Sequence, residues 1–136
     1  MKKKRLTQRR KADRLWSQLI MKRNKGRCEV CNKKLFKYEI INGKRVLKNI
    51  GANPHHIIGR RNLTLRHDPR NGCLLCFTHH TGGNLSAHND SFWFRGWVKR
   101  NRTADHQYLE KKRNELTTQV DYEERIEKLT KELEKG

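Results

Sequence analysis

Cys28 and Cys31 stand two residues apart, and a second such pair, Cys73 and Cys76, returns much later in the chain with His79 and His80 close behind. A Cys-x-x-Cys pair offers two thiolates from one tight turn, which is half of a tetrahedral metal site. A chain with these spacings must fold so that two distant segments meet at one point. Composition makes such a crosslink useful. Of 136 residues only 33% are hydrophobic and 35% are charged, so apolar burial alone would give a thin core. Spacing allows two completions of a zinc site that begins at Cys28 and Cys31. Cys73 with Cys76 gives four thiolates; Cys76 with His79 gives three thiolates and an imidazole.

The formal net charge is +19, which points to a polyanionic partner because each phosphate neutralised by Lys or Arg releases condensed counterions. Nucleic acid, DNA first, is the expected partner. A membrane is not: no apolar run approaches the roughly 20 residues needed to span one, and the basic residues do not lie opposite one broad apolar helical face. Met1-Lys2-Lys3-Lys4-Arg5 is not followed by the apolar stretch of a signal peptide, so a reducing cytoplasm is expected, where paired cysteines hold metal. Residues 1–50 carry 18 basic and 3 acidic side chains, whereas residues 104–136 carry 7 and 9. The DNA-facing surface is therefore expected in the first hundred residues.

Periodicity predicts an amphipathic basic helix from Arg10 to Lys25, with Trp16 and Leu19 on its core face and Arg14, Lys22 and Arg23 opposite. Leu35 to Ile41 and Arg45 to Ile50, separated by Asn42-Gly43, read as a hairpin. Pro54 to Ile58 reads as a strand followed by an arginine-rich loop. Residues 91–101 form an aromatic helix capped by Asp90 or Ser91, in which core packing is expected for two of Phe92, Trp93 and Phe94. Helices over 104–118 and 121–135 follow. The last has a seam of Tyr122, Ile126, Leu129 and Leu133, expected to pack on its own domain or on an identical partner.

The block Pro54-His55-His56-Ile57-Ile58, then Asn71-Gly72-Cys73-Leu74-Leu75-Cys76-Phe77-Thr78-His79-His80, with Ala87-His88 beyond, resembles the HNH nucleases. Their motif is an acidic residue or histidine before a histidine on a strand, an asparagine in the following loop, and a histidine opening a helix. The resemblance, strongest to phage-type members, covers residues 28–97. It implies an α+β fold: a small ββα-metal core with a zinc knuckle, flanked by an N-terminal basic helix (1–27) and a C-terminal helical extension (102–136), the nuclease domain spanning 28–101.

Laying Asn71 on the family's asparagine places His79 on the second cysteine of the family's pair and His80 on its metal histidine. That register favours Cys28, Cys31, Cys76 and His79 for structural Zn²⁺, with Cys73 as the rival to His79. It implies His56 as general base, Asn71 as the residue that fixes the loop and orients His56, and His55 and His80 as ligands of a catalytic divalent ion. Asn84 and His88 compete as third ligand; Gly82-Gly83 argues against a helix that would carry Asn84, and His88 is preferred. Mg²⁺ prefers oxygen ligands, so two histidine ligands favour Mn²⁺, Ni²⁺, Co²⁺ or Zn²⁺ in vitro, with Mg²⁺ still a candidate. Arg60, Arg61, Arg66 and Arg70 flank the site and are candidate phosphate contacts; His67 is expected in a loop near DNA. The activity implied is metal-dependent hydrolysis of DNA, in the cytoplasm of a bacterial host if the chain is phage-encoded. The alternatives are a non-catalytic zinc-knuckle DNA-binding module and a phage packaging accessory protein, whose C-terminal helices would meet a packaging partner or a second copy.

Overall fold

The structure is a computed structural model and describes residues 2–135. It is an α+β arrangement of four α-helices and two separate two-stranded antiparallel sheets. Helix α1 runs Lys2–Met21 and buries Ala12, Trp16 and Ile20, one stripe at four-residue spacing. It starts before the expected Arg10 because its first turns lie along the C-terminal helix, with the Arg5 guanidinium 5.3 Å over the Tyr122 ring. It stops before the expected Lys25 because Asn24, Lys25 and Gly26 all take positive φ, which no right-handed helix can continue.

Strands β1 (Phe36–Ile41) and β2 (Lys44–Asn49) pair from Phe36↔Asn49 to Ile41↔Lys44. Asn42 and Gly43 turn the chain with φ of 52° and 76°, the left-handed pair that a two-residue hairpin loop needs. Strand β3 is Asn53–His56 and pairs with β4, Gly72–Leu75. It ends two residues short of Ile58 because Asn71 takes over the backbone there: the Ile57 N–H goes to the Asn71 carbonyl, and the Asn71 side chain occupies both polar groups of Ile58.

Helix α2, Ser91–Asn101, has the expected bounds, with Asp90 accepting from the Trp93 N–H as N-cap. Helix α3 spans Thr103–Lys112 and is shorter than expected. Beyond it the carbonyls of Arg113 and Glu115 accept from Asn62 and Thr64 of the arginine-rich loop, which pulls the chain out of helical register. Helix α4, Tyr122–Lys135, buries Tyr122 and Leu129 of its seam and lies against α1 of the same chain. The core gathers Trp16, Ile20, Leu35, all four residues of β4, Phe94 and Val98. No helix among the described residues is long and apolar enough to cross a membrane.

Gly72 opens β4 directly beneath α1. A Cβ there would overlap the Ile20 side chain and come within 3.1 Å of Trp16. Its bare backbone therefore sets how closely α1 approaches the β3–β4 pair. A partly buried charge cluster fixes the other side. Glu29 accepts from the Leu74 N–H at 2.5 Å, and Arg102 reaches Glu29, Asp105 and the carbonyls of Gly72 and Arg70.

Candidate metal centres and the histidine pair

The segment after α1 makes a tight turn in which the Cys28 N–H meets the Lys33 carbonyl and the Asn32 N–H meets the Cys28 carbonyl. Asn32 takes φ 65° to close it. Cys76 follows β4, and His79 lies in a wide turn over Thr78–Gly82. The ligand atoms of Cys28, Cys31, Cys76 and His79 all lie within 4.8 Å of one another. Cys31 Sγ is 3.8 Å from Cys76 Sγ, and Cys76 Sγ is 3.3 Å from His79 Nδ1. Zinc bonded to sulfur at about 2.3 Å in a tetrahedron sets two sulfurs about 3.8 Å apart, so these four residues fit a zinc ion. Burial pushes the Cys28 thiol up, but hydrogen bonds from the backbone N–H groups of Cys31, Cys76 and Val30 outweigh it and bring the pKa down.

Cys73 is not part of this group. It sits within β4 with no exposed surface, and burial, reinforced by the Glu29 carboxylate, pushes its thiol well up. It is a core residue.

A second group gathers one residue further along the same turn. The ligand nitrogens of His55 on β3, His80 in the wide turn, and His88 just ahead of α2 lie within 4.8 Å of one another. The Nε2 atoms of His80 and His88 are 3.1 Å apart. Nitrogens bound at about 2.0–2.1 Å to a common ion stand roughly 3.0–3.4 Å apart, so the geometry fits a cation. Burial, helped by the neighbouring His80 and His88, pushes the His55 pKa down to about 3, and burial lowers that of His80. Neutral imidazoles offer lone pairs to a metal. Backbone bonds from Ala87 N–H to the His79 carbonyl and from His88 N–H to the His80 carbonyl zip the loop shut. Asn89, which sequence reasoning did not single out, clamps it by donating to the carbonyls of Thr81 and Gly83.

The helix implied here by resemblance is instead this wide turn, closed by the Gly83 N–H on the Thr78 carbonyl. Gly82-Gly83 marks the break. Asn84 is exposed in the bend that follows, while His88 joins His55 and His80.

His56 faces the other way, as alternation along a strand requires. Its ring stacks on Trp16 at 3.8 Å with an interplanar angle of 8°, and its Nε2 lies 2.9 Å from the Arg66 carbonyl. A carbonyl only accepts, so Nε2 carries the proton and Nδ1 keeps a lone pair. Burial lowers the His56 pKa, which keeps the ring neutral. Asn71, fully buried, spends its side chain on the loop: Oδ1 accepts from the Ile58 N–H, and Nδ2 donates to the carbonyls of Ile58 and Leu65. Leu65 adjoins Arg66, so Asn71 helps hold the carbonyl that holds His56.

Asp13 of α1, also not singled out from sequence, holds the same loop from outside. It accepts from Arg66 Nε and a second Arg66 nitrogen, each at 2.9 Å, and from His67 Nε2 at 2.7 Å. Burial raises its pKa, but the bonds from Arg66 and His67 win and hold it at about 2. His67 is thus buried between α1 and α4, not displayed in a surface loop; its Nδ1 accepts from Arg125. Of the four flanking arginines, Arg60 and Arg61 are exposed. Arg66 is committed to Asp13, and Arg70 to Asp105 and the Tyr108 ring. Arg23, expected on the open face of α1, turns inward and donates to the Pro69 carbonyl. In α2, Phe94 is buried and Trp93 packs against the core, while Phe92 is 90% exposed.

No family model, curated protein or solved structure matches this chain.

Proposed function

We propose that this protein is a metal-dependent DNA endonuclease of the HNH type, its core built from β3, β4 and the wide turn that stands where that family has a helix. The observation that carries the reading is the divided pair on β3. His55 joins His80 and His88 in one cluster of ring nitrogens, while its neighbour His56 is braced on both sides with Nδ1 unprotonated. A metal-binding or packing role alone does not call for the second arrangement. The chain's +19 charge favours a phosphodiester substrate.

His55, His80 and His88 would hold the divalent ion; three imidazoles suit Mn²⁺, Ni²⁺, Co²⁺ or Zn²⁺. When bound, such an ion supplies positive charge to the phosphate and the departing 3′ oxygen. His56 Nδ1 takes a proton from water as the water oxygen bonds to phosphorus. The bond from phosphorus to the 3′ oxygen breaks, that oxygen takes a proton from solvent water, and the products are a 5′-phosphate and a 3′-hydroxyl. Trp16 and the Arg66 carbonyl keep the ring from turning, and Arg60 and Arg61 are free to meet neighbouring phosphates.

Nicking of supercoiled plasmid with EDTA, Mg²⁺, Mn²⁺, Ni²⁺ or Zn²⁺ tests the reading. Cleavage with at least one metal, falling about 10²–10⁴-fold in His56→Ala, is expected. No cleavage by folded protein with any metal, or undiminished cleavage by His56→Ala, sinks it.

A further inference from the structure

The β1–β2 hairpin stands apart from the body. Among its strand residues only Phe36 and Glu39 are even partly covered, and β2 is exposed along its whole length. One face shows Tyr38, Ile40 and Leu47 at 59%, 72% and 54% exposure; Ile41 and Val46 lie on the other. A two-stranded ribbon with this much open apolar surface gains nothing by itself in water. Yet it is firmly mounted. The Ile50 N–H closes its base on the Leu35 carbonyl, and Asn49 Oδ1 accepts from the N–H groups of Gly51 and Ala52. β3, with His55 and His56, begins immediately after that joint.

Charge identifies what covers it. The two strands carry Lys37, Lys44, Arg45 and Lys48 and a single acid, Glu39, which Lys37 and Lys48 already engage. Lysines along free strand edges oppose pairing with another hairpin, so a second copy meets like charge. A polyanion meets complementary charge. Arg45 is held 3.8 Å over the Tyr38 ring, its guanidinium oriented before any ligand arrives. Six residue pairs give an arm about 20 Å long whose strands lie about 4.8 Å apart, narrow enough for a DNA groove about 12 Å wide. Apolar side chains beside basic ones near the tip suit the thymine methyls and the flanking phosphates of that groove.

We propose that the β1–β2 hairpin is an arm that inserts tip-first into the major groove of duplex DNA, with Lys44 and Arg45 on phosphates and Ile40 and Ile41, one on each face of the tip, against base edges. From Ile50 to His55 the chain reaches at most about 17 Å, so DNA seated on the arm lies within reach of the histidine pair. This rests on DNA as the ligand of the proposed nuclease, but not on cleavage.

The test is binding of a fluorescein-labelled duplex of about 30 base pairs to the zinc-loaded full chain, by anisotropy between about 50 and 200 mM salt. Lys44→Ala/Arg45→Ala is expected to weaken binding and to flatten the slope of log K against log salt by about 1.8. Ile40→Ser/Ile41→Ser is expected to weaken binding with the slope unchanged. Duplex should also slow tryptic cleavage of wild type after Lys44 and Arg45, a readout that needs no variant. The proposal is overturned if wild type does not bind, if both variants bind as wild type does, if the tip stays open to trypsin in saturating duplex, or if wild type is a dimer that Ile40→Ser/Ile41→Ser makes monomeric. Binding through the arm without nicking refutes the nuclease and leaves the arm standing; nicking with unaltered binding by both variants does the reverse.

Discussion

His56 Nε2 and the carbonyl oxygen of Arg66 are 2.9 Å apart, and that contact decides which nitrogen of the ring can act as a base. The proton sits on Nε2, so Nδ1 holds the lone pair. In ¹⁵N-labelled protein, long-range proton–nitrogen correlation at neutral pH is expected to show His56 as the Nε2–H tautomer. An Nδ1–H signal would contradict the assignment of the base atom.

Because Asp13 holds the Arg66 side chain, a substitution on α1 should reach the loop beneath. Asp13→Asn leaves the Arg66 guanidinium, 12% exposed, without its charge partner, at an expected cost of about 1–3 kcal/mol in stability. If nicking is established, the same variant should lower kcat several-fold, since the Arg66 carbonyl positions His56. Urea unfolding and steady-state nicking measure the two effects. An unchanged midpoint would show that the pair does not brace the loop.

The zinc assignment separates two cysteines that sequence treats alike. Cys76→Ser and Cys28→Ser are expected to lose tightly bound zinc, and Cys73→Ser to keep it while losing about 1–3 kcal/mol from its burial of a hydroxyl. Zinc content by mass spectrometry, with denaturation curves, checks both halves. His79 and His80 share one turn, so losing the zinc should also scatter the three-histidine group and weaken Mn²⁺ or Ni²⁺ binding there. Cys73→Ser losing zinc while His79→Ala keeps it would reverse the ligand set.

How much of this was legible in the sequence follows the range of the forces involved. The hairpin at Asn42-Gly43 and the Asp90 cap of α2 are local preferences of a few residues, and both stand where the sequence places them. The grouping of Cys28, Cys31, Cys76 and His79, and of His55, His80 and His88, was legible through the register that the HNH resemblance implies; spacing alone favours Cys73 with Cys76. Asp13 with Arg66 and His67, and Glu29 with Arg102, were not. Each joins residues far apart in sequence, and nothing in a charged residue's neighbours announces its partner. The same blindness explains why Arg66 and Arg70 read as phosphate contacts when acidic side chains already hold them. The extra length of α1 escaped notice because its first turns owe their order to α4, not to an apolar periodicity of their own.

Gly72 offers a direct probe of how α1 is seated. Gly72→Ala places a methyl into Ile20, which is expected to cost about 1–3 kcal/mol and to shift Trp16 against His56. Thermal unfolding should show a lower Tm, with altered Trp fluorescence in the folded baseline. A variant as stable as wild type would mean that α1 can retreat freely.

His67 gives the fold an acid limit. Burial holds its pKa down to about 4 despite the bond to Asp13, against about 6.5 in the unfolded chain. Above about pH 6.5 the ring is neutral in both states, and the fold bears no penalty. As pH falls from about 6.5 to 4 the unfolded chain takes up the proton and the folded one does not, so stability drops, by about 3 kcal/mol in all. Asp13 acts lower down: with its folded pKa at about 2, its contribution is present above the ordinary carboxylate range and fades as pH falls toward 2. His67→Gln can donate to Asp13 and accept from Arg125 without titrating. Urea midpoints for wild type and His67→Gln should converge as pH falls from 7 toward 4, while protonation of the zinc thiolates affects both proteins alike and cancels. Parallel curves across that range would show that His67 does not titrate as a buried neutral ring.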